Sequence, residues 1–164
     1  MQYFINCDGG KDPNTDEGAA CWGMVCQDDT GQRIYSRYGC IGKGYSHNVA
    51  EYYAVFEALR FCASHKDKKY TIRTDSKLVA DQLTGAAVCQ AESLVAINKV
   101  CHILLDVHNH ADRPKIIWIP REKNVIADTL TRKAHDYFHK AKHTTALALE
   151  AWYITPWKLI VEVD

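Results

Sequence analysis

The sequence predicts an α/β domain with helices packed on a mixed β-sheet. Three observations carry this. Short stretches of strand character alternate with longer ones whose apolar residues recur at helical spacing. The order they give is β-β-β-α-β-α-α-β-α, the pattern of helices laid on a sheet with both parallel and antiparallel neighbours. The length of 164 residues, with an ordinary composition, suits one domain with its own hydrophobic core.

Tyr3 to Asp8 reads as the first strand, with Asp8 at its end. Ala19–Gln27 and Gln32–Ile41 read as the next two, joined by the hairpin signal Asp28-Asp29-Thr30-Gly31. Gly39, Gly42 and Gly44 then mark a loop. A helix is expected from near Asn48 to about Ser64, because Val55, Ala58, Leu59 and Cys62 form a stripe at helical spacing. Tyr70–Thr74 is a short strand. Ser76 can cap a helix over Lys77–Leu83, which Gly85 breaks. A further helix runs from about Glu92 to Val107. Pro114 and Pro120 bound the strand Lys115–Ile119. Asn124 can cap a last helix reaching about Lys142, with Ala127, Leu130, Ala134, Phe138 and Ala141 as its apolar stripe. Residues 1–145 thus form the domain. Residues 146–164 are an extension too apolar for a disordered tail, expected to pack on the domain or on a partner.

No apolar run approaches the roughly 20 residues needed to cross a membrane, and the N-terminus shows no signal-peptide pattern. Seven cysteines without a Cys-x-x-Cys pair predict mostly reduced core thiols in a cytoplasmic protein. The net charge is zero, which argues weakly against a nucleic-acid partner, but the charge is unevenly spread. Residues 1–30 carry six acids against Lys11 alone, whereas residues 111–145 carry eight bases against four acids. An acidic site beside a basic C-terminal face fits this, as do two solvated surfaces.

The placement of four carboxylates is more informative. Asp8 and Asp75 close strands, where ligands bind in open α/β sheets; each also fits a turn or cap aspartate. Glu51 lies four, seven and eleven residues before Val55, Ala58 and Cys62, so it continues the stripe that faces the sheet. A carboxylate there needs a partner or a metal, because an unpaired buried charge is costly. A capping box with Asn48 as N-cap is the plainer alternative. Asp128 falls in the first turn of the last helix, where the helix dipole favours an acid in any case.

Together, Asp8-Gly9-Gly10, Ser46-His47-Asn48-Val49-Ala50-Glu51, Thr74-Asp75-Ser76 and Asn124-Val125-Ile126-Ala127-Asp128 resemble the motifs of type 1 ribonuclease H. They match in order and on corresponding elements, over roughly residues 2–142. The resemblance implies the ribonuclease H-like fold, a five-stranded mixed sheet flanked by helices, with the four acids gathered at one site. It implies a nuclease that hydrolyses the RNA strand of RNA–DNA hybrids with two Mg²⁺ ions, or Mn²⁺ as a substitute. Asp8 would bridge both ions, Glu51 and Asp75 complete one, and Asp128 the other. The physics agrees: two like charges ~4 Å apart repel by about 4 kcal/mol at an effective dielectric of 20, so four ionised carboxylates call for cations.

The chain resembles the branch without a basic handle, since Thr84–Glu92 holds no lysine or arginine. Pro120-Arg121-Glu122-Lys123-Asn124 matches that branch's last motif. No histidine lies between Trp118 and Asp128, so Arg121 is the candidate cation beside the reacting phosphate. Gly9, Gly10, Asn14 and Asn48 match the family's substrate contacts. His47 and Ser76 lie in the same motifs, and Lys77 could meet a phosphate. His47 replaces a common asparagine, which leaves double-stranded RNA open as a second substrate. His135, His139 and His143, at i, i+4 and i+8, read as a polar helix face rather than a zinc site. The rival readings are a nucleic-acid-binding module of the same fold, an integrase- or exonuclease-like relative, and a domain derived from a retroelement polyprotein. The order of Glu51 before Asp75 argues against the first two. Met1 leading directly into the first strand fits a free-standing protein without settling the third.

Overall fold

The computed structural model describes residues 1–11 and 18–143, with the side chains of 141–143 excepted. Five strands form one sheet: β1 (Gln2–Lys11), β2 (Ala20–Gln27), β3 (Arg33–Gly42), β4 (Lys69–Thr74) and β5 (Lys115–Trp118). Their order is β3-β2-β1-β4-β5. β1–β2 and β2–β3 are antiparallel; β1–β4 and β4–β5 are parallel. Four helices accompany them: α1 (His47–Ser64), α2 (Lys77–Thr84), α3 (Glu92–Asp106) and α4 (Val125–His143). The ribonuclease H-like α/β fold expected from the sequence is therefore present. The tail from residue 144 lies outside the described residues.

Strand alternation divides the sheet between two cores. Ile5 and Cys7 of β1, with Trp22, Met24 and Cys26 of β2, face α1 and the side where α3 packs. The α1 stripe of Val55, Ala58, Leu59 and Cys62 is fully buried there. Burying one such leucine contributes about 2 kcal/mol. The opposite face carries Cys21 and Val25 beneath Leu130 and Ala134 of α4. Asn6 and Asp8, alternating with Ile5 and Cys7, point toward this α4 side.

The β2–β3 hairpin forms as the sequence suggests. The Asp28 carboxylate accepts the backbone N–H groups of Thr30 at 2.9 Å and Gln32 at 3.0 Å, and Gly31 takes the left-handed φ of 87°. Cys21 and Cys40 stand directly opposite in the β2–β3 register and are joined by a disulfide. The expectation of reduced thiols holds for the other five, Cys7, Cys26, Cys62, Cys89 and Cys101. A spacing of 19 residues does not reveal such a pairing; the register of the two strands creates it.

Gly23 sits where α4 crosses β2. A Cβ there would stand 2.6 Å from Leu130 Cβ and 2.8 Å from the Ala127 carbonyl oxygen. Gly23→Ala is expected to lift α4 off the sheet and to cost about 2–4 kcal/mol, read as a lower midpoint in thermal unfolding. A variant that melts with the wild type would contradict this packing.

Candidate active site

The parallel pairing of β1 with β4 ends at Cys7 and Thr74. Asp8 and Asp75 are the next residues on each strand, so the register alone brings them level. β1 itself continues to Lys11 by pairing with β2, which corrects the expectation that Asp8 ends its strand. Gly9 lets the third acid arrive. A Cβ at Gly9 would lie 2.2 Å from the carbonyl carbon of Ala50 and 2.3 Å from the nitrogen of Glu51, so α1 presses its backbone directly on β1. The Gly9 N–H donates to Glu51 Oε2 at 3.1 Å.

Glu51 is therefore not the second half of a capping box. The α1 N-cap is Ser46, whose Oγ accepts from Val49 N–H, and Glu51 faces the sheet, 4 % exposed. Its other oxygen meets His47 Nε2 at 3.1 Å. Asp8, Glu51 and Asp75 each offer a carboxylate oxygen within 4.8 Å of the others. Burial first, then the nearby Glu51 charge, pushes the Asp8 carboxyl up to about 7. Burial also raises Glu51, against the opposing pull of His47, whose own pKa is raised by that hydrogen bond. Such a cluster is stabilised by a hard divalent cation, and an all-oxygen donor set of carboxylates fits Mg²⁺ or Mn²⁺.

Asp128 lines the same cavity of ≈ 900 Å³ as these three, but stands apart from their close cluster. Its carboxylate is held by Arg132 Nη2 at 2.6 Å and approached by Arg121 Nη2 at 3.5 Å. Gly9, Gly10, His47, Asn48, Ser76 and Arg121 also line the cavity. Lys77 does not; it pairs with Asp81 along the exposed side of α2. Asn14 lies outside the described residues.

The residue most misread from sequence is Asn124. It precedes α4, but its side chain does not cap the helix. It is fully buried and donates through Nδ2 to Asp75 Oδ1 at 2.7 Å and to the Cys7 carbonyl at 2.8 Å. Its Oδ1 accepts from Asn6 Nδ2 at 3.1 Å. One amide thus ties the middle of β1 and the Asp75 carboxylate to the turn that leads to Asp128. Trp118 Nε1 supports the same corner by donating to the Asp75 carbonyl at 3.1 Å. Thr131, Arg132, His135 and His139 also reach the cavity from α4. Their spacing from Asp128 places them on one helix face, a signal the sequence did hold. Among the described residues, the only group of three or more metal-capable side chains is Asp8, Glu51 and Asp75; the side chain of His143 lies outside them.

A sheet of this order, with three acids converging where parallel strands end, defines a ribonuclease H-like domain. The chain belongs to the reverse transcriptase-like family, which matches residues 6–134. Solved structures agree. The N-terminal RNase H domain of a Mycobacterium tuberculosis protein superposes with a TM-score of 0.75 at 25% identity, covering 87% of this chain and 99% of that one. RNase H1 from the halophilic archaeon Halobacterium salinarum gives 0.73 at 30% identity, covering 83% and 98%. LC11-RNase H1, isolated from compost by metagenomics and solved in complex with RNA/DNA hybrid, gives 0.73 at 28% identity, covering 82% and 97%. No helix among the described residues is long and apolar enough to cross a membrane.

Proposed function

We propose that this protein is an endoribonuclease that hydrolyses the RNA strand of RNA–DNA hybrids, with Asp8, Glu51, Asp75 and Asp128 holding two Mg²⁺ ions. The observation that carries the reading is the convergence of Asp8, Glu51 and Asp75 within 4.8 Å, at a cavity that Asp128 and Arg121 also line. The likeness to an RNase H1 solved on an RNA/DNA hybrid supports the substrate. When bound, such ions supply Lewis acidity that activates water and balances charge on the leaving oxygen.

The chain's own residues set the stage for that chemistry. Gly9 N–H and His47 fix the two Glu51 oxygens, and Asn124 fixes Asp75. Gly9, Gly10, Asn48 and Ser76 are the substrate-facing contacts, where backbone and short polar groups can meet ribose 2′-hydroxyls, the groups that distinguish RNA from DNA. Labelling each strand of a hybrid in turn tests the assignment. The RNA strand is expected to be cut internally and the DNA strand to survive; cutting of the DNA strand would contradict it.

Arg121 is the cation we assign to the reacting phosphate. It is exposed and touches Asp128 only loosely, so it contributes little to stability. Arg121→Ala is expected to lower turnover roughly ten- to a hundredfold, since one charge-assisted contact is worth about 1.5–3 kcal/mol. Arg121→Lys restores part of it, keeping the charge without the planar fork. Full turnover in the alanine variant, measured on hybrid, would remove Arg121 from the mechanism.

A further inference from the structure

The cavity does not end at the carboxylates. It runs on along α4, past Thr131 and Arg132, to His135 and His139, and to Lys11 at the end of β1. At ≈ 900 Å³ it lies near the top of the range of ~300–1,000 Å³ for small-ligand sites, so it has room for backbone beyond one reacting phosphate. His135 is set firmly into this extension. Its Nε2 lies 3.6 Å from where a Cβ on Gly10 would stand, and Gly10 is on the same sheet face as Asp8, two residues on. His139 follows one turn later on the same helix face. Beyond the carboxylate cluster and Asp128, Asp136 is the one acid among the described lining residues, against Lys11, Arg132 and the two imidazoles.

We propose that Lys11, His135 and His139 form a subsite that grips the backbone of the RNA strand beside the cut, an inference that rests on the function proposed above. Ammonium and imidazole N–H groups are donors for phosphate oxygens, and an imidazole plane can also stack on an exposed base. The chain has a net charge of zero and no base in Thr84–Glu92, so its hold on a polyanion must come from a few placed cations. Lys11 supplies one, and the α4 extension adds imidazole hydrogen-bond donors beside it, in line with the carboxylates, where a strand seated on Asp8 has to continue.

The test uses the full chain in an Asp8→Asn background, which is expected to leave the hybrid uncut, with binding read by fluorescence anisotropy in Mg²⁺. Combining Lys11→Met, His135→Ala and His139→Ala is expected to weaken hybrid binding roughly 5- to 20-fold. The slope of log affinity against log salt is expected to become shallower by about 1, the phosphate neutralised by Lys11 being worth about 0.9. Mg²⁺ affinity by calorimetry, measured in the chain with Asp8 intact, and the thermal midpoint are expected to stay put, and His135→Gln alone to retain part of the binding. Shortening the RNA strand to the cut site erases the difference between the two proteins, whereas shortening the DNA strand preserves it. Unchanged affinity and slope in a folded triple variant overturn the subsite, as does a difference that tracks the DNA strand. If the parent chain does not bind hybrid at all, the proposed function fails and the subsite fails with it.

Discussion

Asp8→Asn is expected to abolish hybrid cleavage and, in metal-free buffer at pH 8, to make the protein more stable than the wild type. The first effect follows from position. Asp8 is the acid on the central strand, packed between α1 and α4, and the other acids converge on it. Loss of a charge at the reacting centre is expected to cost about 4 kcal/mol or more, roughly a thousandfold in rate. The second follows from its raised pKa. The carboxyl moves from an ordinary 3.8 to about 7 on folding, so between these values the folded state keeps a proton that the unfolded state has lost. Stability of the metal-free wild type therefore falls as pH rises from about 4 to about 7, by about 2–4 kcal/mol for this group. Below pH 4 both states are protonated and no penalty remains. Asparagine removes the titration, so the variant gains at pH 8 and gains nothing at pH 4. Thermal melts in EDTA at both pH values check this. Equal midpoints at pH 8, or an active variant, would contradict the account.

Asn124→Ala is expected to lower both stability and activity. It leaves the buried Cys7 carbonyl without its side-chain donor, leaves the Asn6 amide only its longer 3.5 Å hydrogen bond to the Lys123 carbonyl, and frees the Asp75 carboxylate. Each orphaned group costs about 1–3 kcal/mol, so a loss of about 2–4 kcal/mol, roughly 5–15 °C in midpoint, is expected. Mg²⁺ affinity and turnover should drop roughly ten- to a hundredfold, as when a group that orients a metal ligand is lost. Asn124→Asp should be no rescue, because it sets a second carboxylate against Asp75 Oδ1 and removes the donor to Cys7. Calorimetric Mg²⁺ titration separates this from plain destabilisation. An alanine variant that melts lower but binds Mg²⁺ as the wild type does would reduce Asn124 to a structural role.

The sheet and its helices were legible in the sequence from local patterns, and Asp8, Glu51 and Asp75, which converge in the fold, were singled out by the motifs they share with a known family rather than by spacing. Glu51 continues an apolar stripe, Asp75 follows a short strand, and Asp128 opens a helix. What escaped depends on groups far apart in the chain. Asn124 stands where a helix cap belongs, and only the fold shows its amide turned inward to Asp75, 49 residues away. Cys21 and Cys40 meet through strand register. Gly23 did leave a signal, since a glycine inside a strand points to close backbone approach, here that of α4. His135 and His139 looked like a solvated face because helical spacing tells which residues share a side, not which cavity that side borders.

The most direct measurement is a cleavage assay with labelled RNA–DNA hybrid, double-stranded RNA, single-stranded RNA and duplex DNA, each with Mg²⁺ and with EDTA. The account predicts internal cuts in the RNA strand of the hybrid, present with Mg²⁺ and absent with EDTA, weaker or no cutting of double-stranded RNA, and intact DNA. Cleavage that survives EDTA, or a hybrid left whole by folded, Mg²⁺-supplied protein, would contradict it.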